Sequence, residues 1–157
     1  MIVVERVEAE TDATRAGDEV LQAALPGSGF SLVDEIRKRE GLGLVATRGG
    51  RVVGAFVGWI VLDELHILSI GADPGARRAG VGRALLGAAI AEARARGAVR
   101  ALLEVGKKNA AAIALYRDFG FRVTRARTAY YPDGDDALEL EVRWGADGAP
   151  LHAEGDP

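Results

Sequence analysis

The stretch Arg77-Arg78-Ala79-Gly80-Val81-Gly82 joins an apolar, strand-like run ending near Ala72 to a long Ala/Leu-rich helical run that starts at Val81. A strand that feeds a helix across a glycine turn commits this part of the chain to an α/β arrangement. Glycines let the backbone turn tightly and bring its N–H groups to one point, and the helix N-terminus adds roughly half a positive charge there. The stretch therefore reads as a cradle for an anion, a phosphate above all.

Elements on either side can be read from pattern and punctuation. Ile2-Val3-Val4 is a short strand, and Thr11 or Asp12 caps a helix running to about Leu25, where Pro26-Gly27-Ser28-Gly29 breaks it. Ser31 with Asp34 resembles a capping box opening a helix that Gly41 closes. Residues 44–47 and 52–62 form a hairpin over Gly49-Gly50, and residues 65–72 continue the sheet after an Asp63-Glu64 turn. A helix over residues 81 to about 96 is apolar round most of its circumference, as suits one pressed onto a sheet, and Gly97 ends it. Residues 99–105 form a strand, and Asn109 caps a helix carrying Ala112, Leu115, Tyr116 and Phe119 to Gly120. Residues 121 to about 131 and 136–144 form a second hairpin over Asp133-Gly134; in its second arm Leu138, Leu140, Val142 and Trp144 alternate with Glu139, Glu141 and Arg143. The expectation is one α/β domain over residues 1–144, a mixed central sheet flanked by helices on both faces, and a mobile Gly/Pro-rich tail over residues 145–157.

Composition narrows the chemistry. A chain of 157 residues with 48% apolar and 27% charged content is long enough to build a core, and a net charge of −3 gives no field to hold nucleic acid or an anionic membrane. With no cysteine, disulfides and thiolate sites are excluded, and two histidines, His66 and His152, cannot make a zinc constellation. The reading is a reaction without a metal, with His66 a sheet residue. The first ten residues carry Glu5, Arg6, Glu8 and Glu10 and no signal-like apolar core, so a cytoplasmic protein is expected, with no nucleic-acid and no membrane partner.

A dinucleotide fingerprint does not fit the glycine loop. Leu85 occupies the position of the third glycine, and no acidic residue ends a strand some twenty residues on to bind a ribose. Arg77-x-x-Gly80-x-Gly82 instead resembles the acyl-coenzyme A pyrophosphate loop of the Gcn5-related N-acetyltransferases. The likeness continues through Val61-Leu62-Asp63-Glu64, Asp73-Pro74, Gly82-Arg83-Ala84-Leu85-Leu86, Leu103-Glu104-Val105, Asn109-Ala110-Ala111-Ala112-Ile113-Ala114-Leu115-Tyr116, Gly120-Phe121 and Tyr130-Tyr131-Pro132. Together these blocks resemble the ribosomal-protein alanine N-acetyltransferases (RimI type), with the Asn-to-Tyr block the most specific.

The resemblance implies a single-domain fold of that family and acetyl-coenzyme A as co-substrate. It implies a pantetheine arm along Ile70, Gly71 and Ala72, a pyrophosphate on the amides around Arg77, Arg78, Ala79, Gly80, Val81, Gly82 and Arg83, and a coenzyme contact at Asn109. It makes Glu104 the general base and Tyr116 the general acid, with Phe30, Tyr130 and Tyr131 lining the acceptor groove. Three positions depart from the family pattern: residues 25–30 lack its Pro-Trp pair, Ser69 stands where an Asn is usual, and Gly106-Lys107-Lys108 replaces a loop that usually carries an Arg.

The residues themselves suit that chemistry. Asn109 and Tyr116 are seven residues apart, two turns of one helix, so both can face one cleft. Glu104 sits among Leu102, Leu103 and Val105, where an acid needs a reason. Acetyl transfer to an amine needs a neutral nucleophile, donors for the oxyanion and a proton for the leaving thiolate. A protein α-amine is easier to neutralise than a lysine by about 3.5 kcal/mol, so one carboxylate, acting directly or through a water, is adequate for it, and a phenol can protonate the departing sulfur. Three functions remain open at this point: transfer to a protein N-terminal α-amine, in the first place that of a ribosomal protein; transfer to a small amine or a lysine; and a non-catalytic acyl-coenzyme A sensor. A tight apolar pocket around Phe30 and Tyr131 would favour the small amine, and an open groove the peptide.

Overall fold

A computed structural model describes residues 1–25 and 30–151. Thr11 caps the first helix by accepting from Thr14 N, and Asp12 in its first turn suits the positive helix end. The elements run β1 (Ile2–Val7), α1 (Asp12–Ala24), α2 (Leu32–Ile36), β2 (Gly41–Arg48), β3 (Arg51–Val61), β4 (Glu64–Ala72), a 3-10 turn (Pro74–Ala76), α3 (Val81–Ala95), β5 (Arg100–Gly106), α4 (Ala110–Asp118), β6 (Arg122–Arg127), β7 (Ala137–Trp144) and β8 (Pro150–Leu151). The strands form one sheet in the order β1-β2-β3-β4-β5-β7-β6, with β8 beside β7. Every pairing is antiparallel except β4 with β5, so the sheet is mixed, as expected.

Helices cover both faces. On one, α1 and α2 bury Leu21, Leu32 and Ile36 against Val45, Ala55 and Val57. On the other, α3 and α4 bury Leu85, Leu86, Ala89 and Tyr116 against Phe56, Leu103 and Leu140. The α1–α2 layer spans β2, β3 and β4. Gly49 and Gly50 take positive φ, 59° and 78°, as a tight hairpin turn requires.

Several expected boundaries move, each for a local reason. The helix capped by Ser31 ends at Ile36, not at Gly41. Lys38 N bonds to Glu35 O and Gly41 N to Lys38 O, so two turns bring the chain back against the helix end and Gly41 opens β2 instead. The turn between β3 and β4 is Leu62-Asp63 rather than Asp63-Glu64, with Leu62 at φ 55°. Strand β6 stops at Arg127 instead of running on to Tyr131, because Asp133, Asp135 and Asp136 draw the next segment into a side-chain-bonded loop. Part of the expected tail is ordered too: Gly145 N bonds Ala149 O, and β8 pairs through Leu151 with Arg143 and through Pro150 with Trp144. The expected break at Pro26-Gly27-Ser28-Gly29 and residues 152–157 lie outside the described residues. Among those described, no helix is long and apolar enough to cross a membrane.

The start of α3 lies flush on the sheet because Gly54 has no side chain; a Cβ there would sit 2.4 Å from Val81 Cγ1 and 3.1 Å from Gly71 O. Gly54→Val should lower stability by about 1–3 kcal/mol through overpacking. Urea unfolding of the variant reads this directly, and an unchanged midpoint would contradict so close a helix–sheet contact.

Candidate active site

Strands β4 and β5 pair only from Glu64↔Arg100 to Ile67↔Leu103. Beyond that, β4 keeps pairing with β3 as far as Ala72, and β5 with β7 as far as Gly106. The two strands therefore part like the arms of a V. The separation begins at a bulge: Val57 pairs with Ser69 and Gly58 with Ile67, leaving Leu68 as the extra residue, and bulges bend and over-twist a strand. Among the described residues, the backbone edge of residues 68–72 that faces away from β3 has no strand partner.

A cleft of about 1210 Å³ occupies this gap. It is lined by Ile70, Glu104, Asn109, Tyr116, Phe30, Tyr130 and Tyr131, so seven of the residues expected from sequence meet around one space. Gly71 and Ala72, the last residues of β4, and residues 77–83 past its end lie outside the lining. There Gly80 takes φ 83° and Arg78 φ 64°, and the first bond of α3 runs from Ala84 N to Gly80 O. The amides of Val81, Gly82 and Arg83 stand ahead of that bond, the array an anion uses at a helix start. Arg77 and Arg78 are exposed, whereas the Arg83 guanidinium pairs with Asp118 at 2.7 Å and lies over Phe119. A Cβ on Gly82 would be 3.2 Å from Leu115 Cδ2, which keeps α3 tight against α4.

Asn109 caps α4 by accepting from Ala112 N through Oδ1, and this leaves its Nδ2 amide free to donate into the cleft. Two turns on, Tyr116 is buried in the α3–α4 layer, its ring 5.5 Å from that of Phe121. Burial raises its ionisation well above the ordinary tyrosine range. On β5, Ala101, Leu103 and Val105 face that same layer, so strand alternation turns Leu102 and Glu104 to the opposite face. Base and acid candidates thus approach the gap from the two sides of the sheet.

The Glu104 side of the gap is polar. Glu139 pairs with Glu104 in register and is held by Arg127 at 3.0 Å; Glu141 accepts from Arg100 and Arg143 at 3.1 and 2.9 Å, and Arg100 also pairs with Glu64. These neutralising partners allow two carboxylates to face each other across adjacent strands. Tyr131 overhangs this floor. Its phenol is pushed up to about 12, first by burial and then by the Glu104 carboxylate, which favours the protonated form by charge and as a hydrogen-bond acceptor, with Tyr130 and Asp135 adding to it.

Sequence reasoning left out several lining residues. His66, read as a sheet residue, does sit on β4, and it also lines the cleft 3.6 Å from Glu64. Asp135, buried beside the β5 terminus, and Ser69, whose buried Oγ has no hydrogen-bond partner among the described residues, were not foreseen as site residues. Ser69 was visible only as a departure from the family pattern.

A sheet split between two parallel strands, with an amide array past one arm and a carboxylate on the other, is the architecture of the acetyltransferase (GNAT) family. The chain belongs to that family, whose pattern it matches over residues 8–121. It is 43% identical over 89 residues to [Ribosomal protein bS18]-alanine N-acetyltransferase of Escherichia coli (strain K12), a stretch covering 57% of this chain and 60% of that protein. An N-alpha-acetyltransferase of Sulfurisphaera tokodaii is 33% identical over 121 residues, 69% of this chain and 72% of that one. The solved structure of the E. coli ribosomal-protein-S18-alanine N-acetyltransferase superposes with a TM-score of 0.77 at 31% identity, covering 100% of this chain and 99% of that chain.

The buried phenol has a consequence for stability. Tyr116 holds its proton in the folded state above the unfolded value of about 10, so its contribution is complete below that pH and is lost as pH rises from there. Unfolding free energy should fall more steeply above about pH 10 in the unaltered chain than in Tyr116→Phe. Parallel urea titrations across that range would register the difference, and identical slopes would place the phenol in water.

Proposed function

We propose that the protein transfers an acetyl group from acetyl-coenzyme A to the α-amine of a protein N-terminus, an alanine-initiated ribosomal protein being the first candidate. The observation that carries this reading is the approach of Glu104 and Tyr116 to one gap from opposite faces of the sheet. The open edge of residues 68–72 suits an extended amide chain such as pantetheine, which hydrogen-bonds as a strand would. The amides of Val81, Gly82 and Arg83, with Arg77 and Arg78 nearby, suit the pyrophosphate, and Asn109 Nδ2 can donate to the coenzyme.

On the Glu104 face the amine arrives as an ammonium, and Glu104 takes its proton directly or through a water. The neutral amine then attacks the thioester carbon from the acceptor side. The carbon–sulfur bond breaks on the side of α4, where Tyr116 donates its proton to the departing thiolate and regains one from water, while the attacking nitrogen loses its second proton to water on the Glu104 side to leave the neutral amide. Because burial keeps the phenol protonated across the working range, it meets the sulfur as a donor from the outset.

The breadth and polarity of the acceptor side support a peptide over a small amine. The cleft is floored by Leu102, Glu139 and Glu141 and walled by Phe30 and Tyr131, an open groove rather than a closed apolar pocket.

Acetyl transfer measured by thiol release across N-terminal peptides, N-blocked lysine peptides and polyamines tests this reading; turnover should be confined to free N-terminal peptides. Glu104→Gln should lower kcat by about 10²- to 10⁴-fold, the range of general-base catalysis. Tyr116→Phe should lower kcat while calorimetry finds coenzyme affinity unchanged, and Gly82→Trp should abolish that affinity. Coenzyme binding without turnover on any acceptor would leave a sensor, and turnover on polyamines alone would reject the peptide.

A further inference from the structure

Asp135 is a buried carboxylate with no part in the proton transfers above, and both of its oxygens are committed. Oδ2 accepts from Lys108 N at 3.1 Å and Oδ1 from Asp136 N at 2.9 Å. Lys108 immediately precedes Asn109, the cap of α4, whose own N–H bonds to Gly106 O at 3.0 Å. From the other side, Asp135 O accepts from Tyr131 N at 3.1 Å, Tyr131 O accepts from Gly134 N, and Asp135 N donates to Asp133 Oδ1. One residue therefore joins the turn that sets Asn109 to the loop that hangs Tyr131 over Glu104.

Room for that carboxylate is made by Gly106, where a Cβ would lie 2.7 Å from Asp135 Oδ2 and 3.7 Å from the Tyr131 ring. A second tie, Lys107 N to Asp136 O at 2.9 Å, runs parallel to it, and Asp136 Oδ1 accepts from Ala129 N at the start of the loop. A loop pinned to the β5–α4 turn in this way is a preformed wall.

We propose that Asp135 is a positioning residue that couples the two halves of the active site, fixing Asn109 on the donor side and Tyr131 against Glu104 on the acceptor side through one carboxylate. The proposal rests on the donor and base roles given above. Removing the carboxylate frees the Lys108 amide and loosens the cap that presents Asn109. It also releases the Asp135 backbone that holds Tyr131, so the phenol moves out toward water. Asparagine has one acceptor oxygen where two N–H groups need partners, so it would keep only one of the two ties.

The test uses the full chain and two readouts independent of turnover: acetyl-coenzyme A affinity by calorimetry, and Tyr131 ionisation by tyrosinate absorbance with Tyr131→Phe as the subtraction. Asp135→Ala should weaken coenzyme binding about tenfold, the usual scale for stranding a buried polar group. It should also bring the Tyr131 transition down from about 12 toward the ordinary value, first because the phenol leaves its buried place beside Glu104; loss of the Asp135 charge itself adds to that fall, and Gly106→Ala, which keeps the charge, isolates the effect of position. Gly106→Ala keeps the carboxylate but presses on it, and should move both readouts in the same directions; it serves should Asp135→Ala fail to fold. Asp133→Ala breaks only the bond within the loop and should move the tyrosine transition with coenzyme affinity intact. Wild-type values of either readout in both Asp135→Ala and Gly106→Ala would overturn the coupling. Were the unaltered protein not to bind the coenzyme, the donor reading itself would fall, and the tyrosine transition alone would judge Asp135.

Discussion

The site depends on β4 and β5 ceasing to pair after Ile67 and Leu103. Backbone N–H and C=O groups inside a protein require partners, so a strand left open along one edge is a standing demand for something extended to lie beside it. Because β3 holds the other edge of β4 through Ala72, the open edge cannot relax by curling away. The wedge between the arms is filled from one layer by α4, which brings Asn109, Ala112 and Tyr116 to the cleft, while strand alternation puts Glu104 on the other side. The cap Asn109, Tyr116 and Glu104 all take their places at the cleft from that one interruption.

Elements marked by local chemistry were legible in the sequence. Asn109 and Thr11 announce their helices as caps, Gly49-Gly50 its hairpin, and the glycines of residues 80–82 the turn into α3, each because a short stretch of chain fixes its own backbone. The face of Glu104 follows from its alternation with Leu103 and Val105. What local pattern misses is set across distance. The end of β6 depends on three aspartates whose partners are backbone amides elsewhere in the loop and in the β5–α4 turn, and the ordering of residues 150–151 on a strand edge left open where β6 begins. Asp133-Gly134 reads as a plain turn because nothing near it in sequence reveals that Asp135 is buried under Gly106. The bulge at Leu68, which starts the separation and buries the Ser69 hydroxyl, has no composition signal at all. Glu104 and Tyr116 were singled out by likeness to a family; their approach from opposite faces came from the fold.

Charge in this molecule is arranged locally, not globally. A net charge of −3 conceals a dense mesh on the Glu104 face of the sheet, where Arg100 pairs with Glu64 and Glu141, and Arg127 with Glu139. Half-buried pairs of this kind add little stability individually. Their effect is to place Glu104 beside carboxylates that have cationic partners of their own.

The sheet with its V-shaped gap is a partition pierced by one window. Under the proposed reaction, a coenzyme on the side of α4 and an acceptor on the side of Glu104 reach the same carbon without sharing a doorway, and neither has to wait for the other to clear a common channel. The acetyl group crosses in a single passage through the plane of the sheet, so no residue of the wall need carry it in between. A chain without cysteine has no shortage in such a design, because the division of space does the work that a covalent relay would otherwise perform.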